Sequence, residues 1–348
     1  MPTISTPTVP REVISAMERM RAPIMISHVV PDADALGSMF AMALAWESSG
    51  RETKVSLPDG SLSQRLAFLR EWANVTVASP DDFARADGFV TIDTAKRGRC
   101  AVGPALKETE WWAGRPIVNI DHHGSNTRFG DVNWIVADAG STCELVYHLL
   151  RAAVRPIGPT TASLLYAGIQ TDTLGFSLPT TTASALMAAA ELVALGANVA
   201  ELGERLCRSQ RRSEFDLVRV VYDNTKLAAD GRIAYSSASY KEIHDSGCTA
   251  ADVDDQINVP RSLDGVRLAM LFTEGNKGKT RINFRSMGNV TVADLAAKFK
   301  GGGHSQAAGA VMDCGLREAM DIVIPAAVEH LKSFGQGRSL MTPGGPSL

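Results

Sequence analysis

A chain of 348 residues, 45% hydrophobic and 21% charged, is too long for one compact core. At about one domain per 150 residues it is expected to form two domains of ordinary globular composition. Its formal net charge of -3 offers no global attraction to a polyanion, which argues against a large non-specific DNA-binding surface and confines any nucleic acid to a short segment in a local site. The five cysteines, Cys100, Cys143, Cys207, Cys248 and Cys314, are scattered and lack a Cys-x-x-Cys pair. That pattern fits reduced thiols in a cytosol better than a disulfide framework or a zinc-thiolate site. No run approaches the roughly 18 apolar residues of a membrane span, and the first ten residues lack the basic and apolar regions of a signal peptide, so a cytoplasmic protein without a membrane partner is expected.

Through the first half, apolar runs alternate with helical patterns. Strands are expected over 24–30, 54–57, 88–93 and 117–120, with helices over 36–47 and 61–72. This alternation predicts an α/β fold, a mostly parallel sheet flanked by helices, in which ligands gather outside the carboxyl ends of the strands. Beyond Asp121 the pattern turns helical, with Ser141 as an N-cap and Glu144 in capping-box register. It continues over 160–171, 180–195 and 199–227. The last run carries Arg208, Arg211, Arg212 and Arg219, read as the solvated face of a connecting helix. Strand signal returns at 233–235, 266–272 and 280–284, around further helices, and predicts a smaller C-terminal α/β domain across a cleft. The expected divisions are 1–205 for the first domain, 206–229 for the connection, 230–334 for the second domain and 335–348 for a Gly-, Ser- and Pro-rich tail without fixed structure.

Metal-type residues sit at the ends of the apolar runs. Asp121-His122-His123 follows 117–120, His28 ends the first run with Asp32 and Asp34 just beyond, Asp93 ends the third, and Asp172 closes a helical pattern. A turn through Pro31 aims His28 and Asp32 at one cation and Asp34 at a neighbouring position. Imidazole with several carboxylates suits Mn²⁺ well, and Mg²⁺, Co²⁺ or Fe²⁺ less decisively. Asp93 alone could equally cap a turn, and Asp172 could simply end a helix. Bridging two cations about 3.5 to 4 Å apart, however, Asp93 would help them activate a shared water and clamp a phosphoryl group. Adjacent residues of an extended segment point different ways, so one of His122 and His123 should bind metal and the other should face substrate. Near the C-terminus, Gly301-Gly302-Gly303-His304 reads as either an anion-binding nest or a simple turn. Arg285 is suited to a bidentate phosphate contact, whereas Trp111-Trp112 reads as packing.

Taken in order, these segments resemble the DHH phosphoesterase family, in the branch carrying a DHH-associated C-terminal nucleotide-binding domain. Within that branch they resemble the bacterial bifunctional oligoribonuclease and adenosine bisphosphate phosphatase group, over residues 12–332. The resemblance makes the first domain catalytic and the second substrate-binding. It implies two Mn²⁺ ions, with Mg²⁺ or Co²⁺ as substitutes, one held by His28, Asp32 and Asp93 and the other by Asp34, Asp93, His122 and Asp172. It further implies that Asp121 orients His122, that His123 contacts the scissile phosphate, and that Arg285, Ser286, Gly301, Gly302, Gly303 and His304 hold substrate. Ala33 stands where relatives often have Gly and adds only a methyl group. The implied activity is hydrolysis of very short oligoribonucleotides, with short RNA or small nucleotides as the partners and no long DNA. 3′-Phosphoadenosine 5′-phosphate is a second implied substrate, and a homodimer is left open. The alternatives are a phosphodiesterase of linear or cyclic dinucleotide messengers and a non-catalytic nucleotide-binding regulator.

Overall fold

In the computed structural model, which describes residues 4–58, 62, 65–103, 106, 110–275, 278–303 and 305–335, the chain divides into the units Met1–Ser209 and Gln210–Leu348. The first unit is built on β1 (Ile24–Ile26), β2 (Lys54–Ser56), β3 (Phe89–Ile92), β4 (Ile117–Asp121) and β5 (Val132–Ile135), all parallel, in the order β2-β1-β3-β4-β5. Its helices are α1 (Arg11–Arg19), α2 (Ala33–Glu47), α3 (Ala67–Ala73), α4 (Pro80–Arg85), α5 (Thr142–Ala152), α6 (Pro159–Asp172), α7 (Ala183–Ala194) and α8 (Val199–Gly203). The central strands are apolar without alternation because both faces are covered. Met25, Val90, Ile92, Val118 and Ile120 meet the core formed with α2, α5 and α6, while Ile24, Ile26, Phe89 and Ile117 pack on the other face with Phe83 and Trp111.

Two local expectations change. The edge strand β5 follows the triplet, where a purely helical stretch was expected; its Val-Asn-Trp-Ile is only partly buried and lacks the continuous apolar run of a central strand. The helix expected over 61–72 begins at Ala67, and residues 61, 63 and 64 lie outside the described residues.

The run 199–227 is not one helix. After α8 and a wider helical turn, Glu204–Arg208, the chain breaks and restarts as α9 (Arg212–Asp223). Helix α9 buries Leu217 and Val221 in the core of the second unit, so this stretch is part of that unit's packing rather than a bare connection. The second unit carries β6 (Lys226–Ala228), β7 (Ile233–Ala238), β8 (Leu268–Glu274), β9 (Thr280–Ser286), β10 (Gly302–Gly303) and β11 (Ala307–Met312) in a mixed sheet ordered β10-β11-β9-β8-β7-β6. Only β7 and β8 run parallel. Strand alternation divides its core. Leu268, Met270, Phe272, Ile282 and Phe284 pack with Val323 and Leu331 on one face, and Ala269 and Leu271 pack with Leu217 and Val221 on the other. Among the described residues no helix is long and apolar enough to cross a membrane.

Candidate metal centre

In the order β2-β1-β3-β4-β5 the chain reverses direction between β1 and β3, the switch point at which open α/β sheets bind ligands. There the polar residues converge. His28 lies two residues past β1, Asp93 directly follows β3, Asp121 ends β4, and His122 and His123 come next. Asp32 caps α2 by accepting the Ala35 N–H at 2.9 Å, Asp34 is in that helix's first turn, and Asp172 is the last residue of α6. Three overlapping groups result, His28/Asp32/Asp93, Asp34/His122/Asp172 and Asp93/His122/His123, each with donor atoms within 4.8 Å of one another. Asp93 stands between the first two. Its Oδ2 is 3.5 Å from His28 Nε2 and its Oδ1 is 3.7 Å from His122 Nε2, and His122 Nε2 is 3.2 Å from Asp172 Oδ2.

The electrostatics fit a divalent cation. Burial first, and the Asp93 charge second, push the Asp34 carboxyl up to about 7. Burial and the Asp34 charge hold Asp172 well above the ordinary carboxylate range. Asp93 goes the other way, to about 2: burial opposes its ionisation, but the hydrogen bond from His28 and the imidazoles of His122 and His123 outweigh it. Divalent charge here would let all these carboxylates ionise together, and the oxygen and imidazole donors, with no thiolate among them, suit a hard or borderline cation. Asp93 also has φ +53°, a left-handed conformation that aspartate tolerates better than most residues and that concentrates at functional sites.

Residues 139–143 brace the centre; the sequence marked Ser141 only as a helix cap and none of the five as part of the site. The backbone N–H groups of Thr142 and Cys143, at the start of α5, donate to Asp34 at 2.7 and 2.8 Å, and the Thr142 hydroxyl donates to Asp93 Oδ1 at 3.0 Å. A helix N-terminus thus holds a carboxylate. Ser141 caps α5 by accepting the Glu144 N–H at 3.1 Å, as expected, but the Glu144 carboxylate takes the Gly140 N–H at 2.8 Å instead of closing the box on Ser141.

The triplet is wired differently from the expectation that Asp121 orients His122. Asp121 Oδ1 lies 2.7 Å from His123 Nδ1 and its Oδ2 accepts from Asn126 at 2.6 Å. His122 Nδ1 instead meets the Ala139 carbonyl at 3.3 Å, which turns Nε2 toward Asp34, Asp93 and Asp172. The reason is geometric: Asp121 and His123 are two apart and fall on one side of the extended chain, with His122 on the other. Burial works against the charged form of His123, yet its hydrogen bond to Asp121 and the Asp93 charge raise its pKa.

Helices α2 and α6 cross closely at glycines. A Cβ at Gly168 would collide with Cys143 Sγ and lie 2.7 Å from Asp34 Oδ1. Gly168→Ala is therefore expected to destabilise the chain by about 1–3 kcal/mol, the range for overpacking, and to weaken metal binding by displacing Asp34. Thermal unfolding with and without metal checks both effects; an unchanged metal response would show that Asp34 tolerates the shift.

In the second unit, β9 sets Arg285 opposite Ala307 of β11 and Ala269 of β8, on the face away from Ile282 and Phe284. Ser286 falls on the other face. It is buried and its hydroxyl donates to the Val290 carbonyl at 2.6 Å, which corrects its expected substrate role: a strand cannot present both neighbours to one ligand. Gly302 and Gly303 form the edge strand β10 against Gly309 and Ala308, instead of a loop opening a nest. A Cβ at Gly301 would sit 2.7 Å from Ala310 Cβ, so this close approach requires glycine. His304 and the tail from residue 336 lie outside the described residues.

Residues 24–169 match the DHH family, N-terminal domain, and residues 230–334 match the DHHA1 domain. The chain is 29% identical over 327 residues to the bifunctional oligoribonuclease and PAP phosphatase NrnA of Thermus thermophilus, covering 93% of this chain and 95% of that protein. It is also 29% identical over 293 residues to the protein of the same name from Bacillus subtilis, covering 82% and 88%. An exopolyphosphatase-related protein from Bacteroides fragilis shares its fold, with a TM-score of 0.84 at 23% identity over 95% of this chain and 99% of that one. With both domains matched in order and acidic and histidine side chains gathered at one sheet edge, the chain belongs to the DHH family of metal-dependent phosphoesterases, an N-terminal DHH domain followed by a DHHA1 domain.

Proposed function

We propose that this chain is a two-metal, Mn²⁺-dependent phosphoesterase that hydrolyses very short oligoribonucleotides to mononucleotides and removes phosphate from 3′-phosphoadenosine 5′-phosphate. The observation that carries this reading is the position of Asp93, one carboxylate oxygen toward His28 and the other toward His122, together with the likeness to two bifunctional oligoribonuclease and PAP phosphatase proteins. His28, Asp32 and Asp93 would hold one ion, and Asp34, Asp93, His122 and Asp172 the other. Bound there, the ions supply a nucleophilic water at neutral pH and offset charge on the phosphoryl oxygens.

The remaining work falls to the chain itself. The Ala139 carbonyl fixes the His122 tautomer so that Nε2 serves as the ligand atom, a role such outer partners commonly fill. Asp121 holds the His123 ring by its Nδ1 edge, and we assign the opposite edge to the phosphate, where an N–H donor stabilises charge developing in the transition state. The burial of Asp34 and Asp93 excludes bulk water and strengthens each of these contacts. Arg285 is assigned to a substrate phosphate, and Gly301, Gly302 and Gly303 to the close approach of the nucleotide.

The test is Mn²⁺-dependent release of mononucleotide from a dinucleotide, a trinucleotide and a long oligomer, beside phosphate release from 3′-phosphoadenosine 5′-phosphate. Turnover that falls steeply with length is expected. Turnover confined to linear or cyclic dinucleotide messengers would shift the reading to messenger degradation, and none on any substrate would leave a nucleotide-binding regulator.

A further inference from the structure

The loops leaving β3 and β4 carry Lys96, Arg97, Arg99 and Arg128, a local concentration of cations in a chain of net charge -3. Arg97 is committed to packing: its guanidinium lies 4.6 Å from the Trp112 ring centre and 5.7 Å from that of Phe129, and it donates to the Phe129 carbonyl at 2.7 Å. Lys96, Arg99 and Arg128 are exposed, and among the described residues no carboxylate pairs with any of them.

The loops that carry them are hydrogen-bonded to residues beside the candidate centre. The Arg99 carbonyl accepts the N–H of Val29, next to His28, at 2.9 Å. Lys96 follows Ala95, whose carbonyl accepts the Thr127 N–H at 2.9 Å and joins the two loops. The Arg128 N–H donates at 2.6 Å to Asn126, the residue that also holds Asp121. Lys96 is three residues past Asp93 and so within about 11 Å of it along the chain. Unpaired cations fixed beside a cluster of carboxylates have no structural partner to satisfy, and they offset the repulsion that the cluster exerts on an anion.

We propose that Lys96, Arg99 and Arg128 form a phosphate-binding rim that holds the non-reacting phosphates of a short oligonucleotide at the mouth of the metal centre. The proposal rests on the phosphoesterase reading for its ligand, but not for its test. The full chain and its Lys96→Gln/Arg99→Gln/Arg128→Gln variant are compared in two assays. One reads binding of fluorescein-labelled triadenylate by anisotropy, with Ca²⁺ in place of Mn²⁺, between about 50 and 200 mM salt. The other reads Mn²⁺-dependent hydrolysis of bis-p-nitrophenyl phosphate, a diester with no second phosphate.

The rim requires the variant to bind triadenylate about tenfold or more weakly, with a log-log salt dependence shallower by about 0.7 for each phosphate that the variant leaves unneutralised, and to hydrolyse the small diester as the wild type does. Equal affinity and equal salt slope overturn it, as does a wild type that does not bind triadenylate. Loss of small-diester hydrolysis in a variant with unchanged circular dichroism also overturns it, by moving these residues into the reacting centre. A wild type that binds triadenylate through these cations yet, with Mn²⁺ added, hydrolyses neither it nor the small diester would sink the phosphoesterase reading and leave the rim standing.

Discussion

Asp93→Ala is expected to lower Mn²⁺-dependent turnover by roughly 10³-fold or more, because several kcal/mol of metal-derived stabilisation are lost at about 1.4 kcal/mol per tenfold. No other carboxylate in the centre faces both His28 and His122, so none can substitute for it. The alanine variant has a second defect, since Asp93 has φ +53° and a left-handed residue without a polar side chain costs roughly 1–2 kcal/mol. Asp93→Asn separates the two effects. Asparagine tolerates that conformation and can still accept the Thr142 hydroxyl, but it carries no charge. Its turnover should fall as far as that of the alanine variant while its metal-free melting temperature stays above that of the alanine variant, because asparagine keeps the left-handed conformation and the Thr142 contact. Turnover within tenfold of wild type in both variants would remove Asp93 from the centre.

The second large effect is on stability and depends on pH. An unfolded aspartate titrates near 3.9, whereas burial and Asp93 hold the Asp34 carboxyl at about 7. Between these values the folded chain keeps a proton that the unfolded chain has released, so the metal-free protein should lose stability as pH rises from about 4 to about 7. Asp172 is displaced in the same direction. Asp93, lowered to about 2, contributes in the opposite sense, with stability present above about 4 and lost only as pH falls through about 2. Metal binding must expel the protons on Asp34 and Asp172, so the rise in melting temperature on adding Mn²⁺ should be larger at pH 8 than at pH 6. At a hundred times Kd the stabilisation is about 2.7 kcal/mol, or about 5–10 °C for a chain of two such domains. Equal shifts at the two pH values would mean that these carboxylates do not take part in binding.

Much of the centre was legible because its residues sit where apolar runs stop. His28, Asp93 and Asp121 stand at or just past the ends of β1, β3 and β4, and a parallel sheet delivers those ends to one edge. The braces were not legible. Thr142 and Cys143 hold Asp34 through backbone N–H groups, which every residue but proline provides, and Gly168 acts by what it lacks beside Asp34. The resemblance implied that Asp121 serves His122, but the two-residue repeat of an extended backbone gives it His123. The same repeat took Ser286 away from Arg285. The edge strand β5 and the break between α8 and α9 were hidden for another reason. A half-exposed strand has no continuous apolar run, and Ser209-Gln210 contains neither the glycine nor the proline that usually marks a stop.

In the proposed function one side-chain cluster holds two ions through a shared Asp93. The most direct measurement is calorimetric titration of the metal-stripped full chain with Mn²⁺ at pH 8. Two ions bound per chain in the wild type, reduced to one or none in Asp93→Asn, is the result expected here. A single site, or two sites indifferent to Asp93→Asn, would contradict it.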